Sequence, residues 1–363
     1  MTVQVSDQTE FEMTAIHPSS HDSELLLAAG RHPLAAELER GLTRRCGVTA
    51  DAGLLIGCSG GADSTALAVL VTALARRRRS IVSLPVLLHV DHGIRADSAA
   101  QSEQVGHLAS RLGVNLRTVK LEMERGQADL CARARRLRYS ALHESASLLG
   151  LTHVVCAHHA EDRLETIIHG LCRGVGPDAL ANPRWCRPLG DLQLIRPLLA
   201  VSRVDLREFC EGLGLDFFDD PTNLDQETMR GSLRSSVIPH LEERWPGAAR
   251  RASAAVDRFS VAARSLEREI SRRLANGFPD RLDLSDALSE SPGFMAALIR
   301  HWILGFARER GCDLQDRLPA SFFDELERAV GDEETRPRTF DCAGVVTVLL
   351  RGCSLELGVN AHK

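Results

Sequence analysis

The chain has 363 residues, a formal net charge of −5 and a hydrophobic content of 44%. This length predicts one large domain with one or two smaller ones, and the composition is sufficient for a sizeable core. The mild acidity gives no global signal for nucleic-acid binding, and no apolar run approaches the roughly 20 residues of a membrane span. Lys120 and Lys363 are the only lysines, which argues against a covalent mechanism based on a lysine of the protein.

The ten cysteines are scattered along the chain without any C-x-x-C pair. Several lie inside apolar runs, as buried free thiols usually do. With no secretory signal, the sequence predicts a reduced, cytoplasmic protein rather than a disulfide scaffold or a zinc site.

The first 50 residues are predicted to form an extension and a helical segment. Residues 1–22 are polar without a clear period, as in a mobile extension. Residues 25–45 have the pattern of one or two amphipathic helices, broken near Pro33.

Between residues 51 and 228, short apolar runs alternate with helical patterns. Strands are predicted at 54–58, 83–90, 115–121, 152–157 and 194–198, and helices at 62–77, 98–112, 128–149 and from about 160 to 173. Near-continuous apolar strands separated by helices are typical of a parallel sheet that is covered on both faces. The predicted fold class is therefore α/β, with a Rossmann-like parallel sheet.

After residue 201 the pattern becomes mostly helical. Ser202 begins a predicted helix that ends at Leu213, with Asp205 completing a capping box, and residues 219–223 predict a turn. Residues 229–276 predict a helical linker, broken at 245–247. This segment holds ten arginines against five acidic residues from Arg230 onward, which fits RNA contact nearly as well as a solvated helix.

The last 87 residues, 277–363, are predicted to form a small α+β domain. Helical patterns cover 292–308 and 320–330, and residues 344–350 resemble a strand.

Three polar clusters directly follow predicted strands. They are Ser59-Gly60-Gly61-Ala62-Asp63-Ser64, His89-Val90-Asp91-His92-Gly93-Ile94-Arg95 and His158-His159-Ala160-Glu161-Asp162. Ligands of open parallel sheets bind beyond the carboxyl ends of the strands, so these clusters should converge in one site.

The first cluster predicts an anion site. Its paired glycines allow close backbone approach, and the helix that follows offers unpaired N–H groups at the positive end of its dipole. Ser59 and Ser64 add hydroxyl donors, and Asp63 beside a phosphate makes sense if Mg²⁺ bridges the two. A simple glycine turn capped by Ser or Asp is the alternative, and the Walker motif with its lysine is absent from the sequence.

This loop resembles the Ser-Gly-Gly-x-Asp-Ser loop of the PP-loop ATP pyrophosphatases, and the whole set of motifs resembles the tRNA(Ile)-lysidine synthetase family among them. The matching stretches follow the family's order and approximate spacing over residues 54–240. They are Ser59–Ser64, His89–Arg95, Ala134-Arg135 with Arg138-Tyr139, Ala157–Asp162 with Glu165-Thr166, Arg173-Gly174, Arg196–Leu199, Asp220–Asn223, and Arg230 with Arg234 and Pro239.

The resemblance implies a PP-loop (adenine nucleotide α-hydrolase-like) fold and a two-step reaction. ATP would adenylate the C2 carbonyl oxygen of the wobble cytidine in a tRNA(Ile) with anticodon CAU, releasing pyrophosphate. The amino group of free L-lysine would then attack C2 and expel AMP. ATP and Mg²⁺ are the cofactors this implies, the tRNA and free lysine are the partners, and the family suggests that a homodimer can form.

The resemblance also implies a role for each site residue. Residues 59–64 and Asp91 would bind ATP, with Asp63 near Mg²⁺, and Arg135 would meet a phosphate or the AMP leaving group. The acids for the lysine ammonium are Glu161, Asp162 and Glu165, and His158 or His159 would supply a catalytic group that titrates near neutrality. Arg230 and Arg234 would contact tRNA. Which acid binds lysine and which histidine acts as base stay open.

Three positions depart from the family pattern. Cys131 stands where an acid is common, Arg163 where Gln is common, and Gly231 where Asn is common.

Three alternative functions also stay open. A PP-loop tRNA thiolation enzyme would be expected to show paired cysteines. A silent nucleotide- or RNA-binding paralogue would be expected to have lost Asp63, Asp162 or His158, and a glutamine-dependent amidotransferase would need an ammonia-generating domain.

Overall fold

The structure, a computed structural model, describes residues 20–91, 98–121, 130–219, 228–275, 277–290, 293–312, 314, 318, 320–332 and 337–359. Contacts divide the chain into two units. Unit 1 contains residues 1–166 and 183–255, and unit 2 contains residues 167–182 and 256–363. The domain boundaries predicted at residues 50, 228 and 276 stay predictions.

Two helices, α1 (Ser20–Arg31) and α2 (Pro33–Arg40), open the described chain, and a π-helical turn (Gly41–Arg45) follows. The break predicted near Pro33 is confirmed: Nδ1 of His32 accepts a hydrogen bond from the Leu34 N–H at 3.2 Å, which caps α2. At Gly41 a Cβ atom would overlap the Pro197 carbonyl. Only glycine therefore lets the end of α2 approach the backbone at Pro197 this closely.

The predicted α/β class is confirmed by a six-stranded, mostly parallel sheet in unit 1, with the strand order β3-β2-β1-β4-β6-β5. Leu54, Leu55 and Ile56 of the first strand are fully buried, as expected when both faces of a sheet are covered. The strands are β1 (Leu54–Gly57), β2 (Val86–Asp91), β3 (Leu116–Lys120), β4 (His153–Val155), β5 (Cys186–Leu189) and β6 (Leu192–Ile195). The helices between the strands are α3 (Ala62–Ala75), α4 (Ser98–Leu112), α5 (Leu130–Leu148), α6 (Ala160–Cys172) and α7 (Pro177–Leu180), of which α7 and residues 167–172 of α6 belong to unit 2.

Strand β5 was not predicted and runs antiparallel to β6. Pro188 argues against a strand, but β5 lies at the edge of the sheet, where proline is tolerated because no partner needs its missing N–H. A two-residue turn joins the strands, with Gly190 at φ +61°. This hairpin places Arg187 opposite Leu194 of β6.

The rest of unit 1 is helical. The capping box predicted at Ser202 and Asp205 is confirmed, and the break at 245–247 separates two helices as predicted. Residues 220–223 of the predicted turn lie outside the described residues, as do residues 92–95 of the second polar cluster. The helices are α8 (Arg203–Gly212), α9 (Met229–Ser232), α10 (Ile238–Arg244) and the start of α11 (Ala248–Arg273), whose residues from 256 onward belong to unit 2, with a π-helical turn at Leu233–Val237.

Unit 2 has its own core around the fully buried Trp302, whose indole N–H donates to the Pro279 carbonyl at 2.8 Å. Its α+β character is confirmed, but only one of its four strands was predicted. The antiparallel sheet has the order β7-β10-β9-β8. The elements are β7 (Arg281–Asp283), a 3₁₀ turn (Ser285–Ala287), α12 (Phe294–Glu309), α13 (Ala320–Gly331), β8 (Arg338–Cys342), β9 (Val346–Arg351) and β10 (Ser354–Val359).

Two further expectations concern the whole chain. The nine cysteines that the structure describes are free thiols. Within the described residues, no helix has both the length and the apolar character needed to cross a membrane.

Candidate active site

The loop between β1 and α3 is shaped by two serine hydroxyls. Oγ of Ser64 donates to the Gly61 carbonyl at 3.0 Å and accepts from the Ser59 N–H at 3.2 Å. The Ser59 hydroxyl lies 3.2 Å from the Ser64 hydroxyl. Because the first helical N–H groups have no partner within their own helix, the loop ends in a group of donors suited to phosphate.

Gly60 fixes how this loop is attached to its surroundings. Its φ of +79° lies in the left-handed region that favours glycine. Its carbonyl accepts from the Phe218 N–H at 2.8 Å, and the neighbouring Ser59 carbonyl accepts from the Gln101 side chain at 2.6 Å. Neither donor was predicted, since neither belongs to a motif.

Asp63, at the start of α3, faces His159 from the loop after β4. Its Oδ2 lies 3.5 Å from His159 Nε2, while its buried Oδ1 has no hydrogen-bond partner among the described residues. Among all residues that the structure describes, no group of three or more His, Cys, Asp or Glu side chains is arranged to hold a metal ion. An unsatisfied carboxylate oxygen beside a phosphate loop fits Mg²⁺, which is commonly held by one or two carboxylates and by substrate phosphates.

His159 is almost surrounded by carboxylates. Its Nδ1 lies 3.0 Å from Glu161 Oε2, its Nε2 lies 3.6 Å from Asp162 Oδ2, and its backbone N–H donates to the same Oδ2 at 2.9 Å. Burial by itself would lower the pKa of His159, but Asp162, Asp63 and Glu161 raise it well above its usual value. The surrounding carboxylates therefore favour the imidazolium form of His159.

The predicted lysine-binding acids and the predicted tRNA-binding arginines lie in contact. Arg234 Nε donates to Glu165 Oε2 at 2.6 Å, and its Nη2 donates to Asp162 Oδ1 at 2.9 Å. Arg230 Nε lies 3.1 Å from Glu165 Oε1. Burial by itself would raise the pKa of Asp162, but the charges of His159, His158 and Arg234 lower this pKa below its usual value. We call these connected groups the carboxylate network: Asp63, His159, Glu161, Asp162, Glu165, Arg230 and Arg234.

His158 has a different environment from its neighbour. Arg196 Nε donates to its Nδ1 at 3.3 Å, which assigns the ring proton of the neutral form to Nε2. Burial lowers the pKa of His158 to about 3, with Arg196, Arg135 and Arg138 adding to the effect and Asp162 opposing it. Neither histidine therefore has a pKa near neutrality in this state of the protein.

Arg135 and Asp91 belong to other elements of the sheet layer, α5 and β2. The guanidinium of Arg135 lies 5.1 Å from the centre of the Tyr139 ring, on α5. Asp91 ends β2, the neighbour of β1, and its carbonyl accepts from the Leu121 N–H at 2.7 Å.

Two of the three departures have a structural explanation. Arg163 is fully buried and donates to the Pro183 carbonyl at 3.0 Å and to Ser253 at 2.9 and 3.0 Å, so it joins α6 to α11 instead of facing the site. Gly231 is buried in α9, and its N–H donates to the Thr228 hydroxyl at 3.0 Å. The side chain of Cys131 lies outside the described residues.

Residues 34–241 of the chain match the family of PP-loop domains. A tRNA(Ile)-lysidine synthase of Alkalilimnicola ehrlichii is 36% identical over 69% of this chain and 56% of that protein. One of Salinispora arenicola is 38% identical over 59% of this chain and 64% of that protein. The chain thus spans roughly three fifths of the length of these curated relatives.

Among solved structures, the U34-tRNA thiolase NcsA of Methanococcus maripaludis, with its [4Fe-4S] cluster, has a TM-score of 0.54. The match covers 71% of this chain and 87% of that chain at 15% sequence identity. At this identity the likeness shows a shared fold alone.

Proposed function

The chain belongs to the PP-loop family, and from this premise we propose that it is a tRNA(Ile)-lysidine synthetase, an AMP-forming carbon–nitrogen ligase. The observation that carries the proposal is the link between Asp63 of the phosphate loop and Asp162, through His159. This link joins the loop proposed to bind phosphate to a partly exposed acid, which supports a reaction between an adenylated base and an amine. The identities to curated lysidine synthases support the same reading.

In the first step, the C2 oxygen of the wobble cytidine of a CAU-anticodon tRNA(Ile) attacks the α-phosphate of ATP, and pyrophosphate leaves. The N–H groups and hydroxyls of residues 59–64 bind and orient the phosphates, with Asp91 nearby. Asp63 would hold Mg²⁺, and the bound ion would neutralise the negative charge that develops on the phosphate. The unpartnered Oδ1 of Asp63 supports this assignment.

In the second step, free L-lysine attacks C2 and AMP leaves. Asp162 and Glu165 are the acids we assign to the lysine ammonium, with Glu161 holding His159 in place. Arg230 and Arg234 already neutralise Asp162 and Glu165. Lysine would therefore have to share these carboxylates with the arginines or displace them, and RNA phosphates are the natural competitors for the arginines.

The two histidines take different roles in this proposal. His158 is neutral, and its Nε2–H can donate to charge that develops on the substrate, while the His159 imidazolium positions Asp63 and Asp162. Either histidine becomes the expected general base only if bound substrates move its pKa toward neutrality. The pH–rate profile of lysine transfer tests this shift. An inflection between about pH 6 and pH 8 would show that a histidine titrates there, and a flat profile would show that none does.

The test of the proposal is incorporation of radiolabelled lysine into a CAU-anticodon tRNA(Ile) transcript. Label should enter the RNA only when ATP and Mg²⁺ are present, and a transcript with uridine at the wobble position should stay unlabelled. The Asp63→Ala variant should lose about 100- to 1,000-fold in rate or more, because it removes the loop carboxylate. Asp51→Ala, at the opposite end of β1, is the matched control and should keep full activity.

Failure of the folded wild-type protein to label the transcript would overturn the proposal. Transfer of sulfur to the same RNA would identify a thiolation enzyme instead. Binding of ATP and RNA without any product would identify a silent paralogue. The cytoplasmic location and a homodimer remain part of the proposal, and sedimentation of the purified protein tests the second.

A further inference from the structure

Three arginines surround the ring of Tyr139 in unit 1. The guanidinium carbons of Arg135, Arg138 and Arg187 lie 5.1, 5.7 and 4.9 Å from the ring centre. The first two come from α5, and the third comes from β5 at the edge of the sheet. Three separate cations therefore share one aromatic side chain.

A fourth arginine, Arg196, lies beside the same group. It is only 4% exposed, and it donates to His158 Nδ1 at 3.3 Å and to the Arg184 carbonyl at 2.9 Å. Burial raises the pKa of the Cys156 thiol, and all four guanidinium groups act against that rise. All four are therefore close enough to influence one sulfur atom. We call Arg135, Arg138, Arg187 and Arg196 the arginine cluster.

The described residues provide no acid that pairs with the arginine cluster. Among the described residues, no carboxylate oxygen lies within 4.0 Å of any of the four guanidinium groups. Arg187 lies over the Tyr139 ring and donates to the Pro188 carbonyl at 3.1 Å. Several other arginines do have a close acidic partner, as when Arg207 binds Asp219 through two contacts of 2.8 Å. Like charges held together without a counter-ion raise the energy of the free protein.

Tyr139 supplies an independent sign of a missing polar partner. Its side chain is 8% exposed, and its buried hydroxyl has no hydrogen-bond partner among the described residues. A buried hydroxyl left without a partner costs about 1–3 kcal/mol. Such a group beside four cations indicates a binding site more than a packing arrangement.

The arginine cluster comes from other elements than the phosphate loop does. Arg196 directly follows β6, and His158 lies in the loop after β4, whereas residues 59–64 follow β1. Since β4 separates β1 from β6 in the sheet, the arginine cluster and the loop occupy different parts of its carboxyl edge. His158 lies between the two sites.

We propose that the arginine cluster binds a phosphate group of its own, a backbone phosphodiester of the RNA next to the nucleotide that reacts. Guanidinium forks match phosphate oxygens in bidentate geometry and are preferred for this task. A polyphosphate arrives with a divalent cation and needs a carboxylate such as Asp63 nearby. The described residues place no carboxylate within 4.0 Å of the cluster, which favours the phosphodiester. The inference rests on the proposed function, since it assigns the cluster to the same RNA substrate.

The experiment measures binding of the CAU-anticodon transcript and of ATP separately, by filter binding and by equilibrium dialysis. The variants are Arg187→Gln and Arg138→Gln, with Arg187→Lys as the conservative change. Arg40→Gln, which removes an exposed arginine paired with Glu37 on α2, is the control. Each glutamine variant should weaken RNA binding several-fold at about 50 mM salt and reduce the slope of log K against log salt by about 1. ATP affinity should stay within about twofold of the wild type, and Arg187→Lys should keep most of the slope.

Two results would overturn the proposal. Loss of ATP or pyrophosphate affinity with an unchanged RNA salt slope would mean that the cluster holds a nucleotide phosphate. Unchanged binding of both ligands, in variants whose circular dichroism matches the wild type, would mean that the cluster only packs around Tyr139. If RNA binding responds as expected but the wild type transfers no lysine, the phosphate site stands and the proposed function fails.

Discussion

The carboxylate network and the arginine cluster handle charge in opposite ways, although both lie in unit 1 and meet at His158. In the network, Asp162 and Glu165 each have a cation at hydrogen-bond distance. In the cluster, four cations lie together, and the described residues offer them no acid within 4.0 Å. Compensated charges hold the protein together, whereas uncompensated charges are available to a ligand. Substitutions that remove one charge should therefore have different consequences in the two places.

The largest effect on stability is expected for Glu165→Gln. Glu165 is 2% exposed and accepts from both Arg230 and Arg234, so neutralising it removes the negative charge from a buried position and leaves the half-buried Arg234 with Asp162 as its charged partner. We expect the free energy of unfolding to fall by about 3–5 kcal/mol, as when one partner of a buried pair is removed. Urea denaturation followed by circular dichroism measures this.

Glu39→Gln is the matched control for that change. Glu39 pairs with Arg77 at 2.7 Å, but both side chains are 37% exposed. An exposed pair contributes about 0–1 kcal/mol. Equal losses in the two variants would show that the carboxylate network is no more important to stability than a surface ion pair.

An intermediate, pH-dependent effect is expected for His159→Gln. The folded-state pKa of His159 is raised, so its stabilisation is complete below the unfolded value of about 6.5 and is lost as the pH rises through the folded value. The variant should be less stable than the wild type by about 1.5–3 kcal/mol at pH 6, the range for hydrogen bonds to charged groups, and the gap should narrow in alkaline buffer.

His107→Gln provides the reference for this pH series. His107 has 76% of its side chain exposed and lies 4.0 Å from Glu103, so its stability difference should stay near zero at every pH. A gap for His159→Gln that widened with rising pH would contradict the assignment of His159 as an imidazolium.

The smallest effect is expected for Arg187→Gln in the arginine cluster. The variant loses a cation–π contact of about 0.5–1 kcal/mol but relieves repulsion among the guanidinium groups. Its unfolding free energy should therefore differ from the wild type by less than about 1 kcal/mol at low salt. Added salt screens the repulsion that the variant relieves, so the difference should shift toward destabilisation as ionic strength rises. A large loss of stability at low salt would show that the cluster is structural.

The sequence predicted the sheet well because each parallel strand is a local apolar run. It missed β5, since Pro188 and Arg187 resemble a loop until the edge position is known. In unit 2 it missed β10, whose alternation of Ser354, Leu355 and Glu356 is short and half polar. Strands that depend on a distant partner leave a weak local pattern.

The candidate site could be predicted as a set of residues, but its internal pairing could not. Residues 59–64 and 158–162 form local motifs after strands, so their convergence followed from the fold class. The contacts of Arg234 with Asp162 and Glu165 join positions about 70 residues apart that the sequence had assigned to different substrates. The opposite pKa shifts of His158 and His159 also depend on which side chains each ring meets in space.

The close approach of Gly41 to the Pro197 carbonyl has a consequence for genetics. Pro197 directly follows Arg196, which holds His158 through its Nε. A side chain at position 41 would push on this backbone and move a histidine that Gly41 itself does not bind. In a screen of random variants for lost activity, Gly41 should therefore score like an active-site residue. Gly106, on α4 with open space around its Cα, should tolerate alanine without penalty.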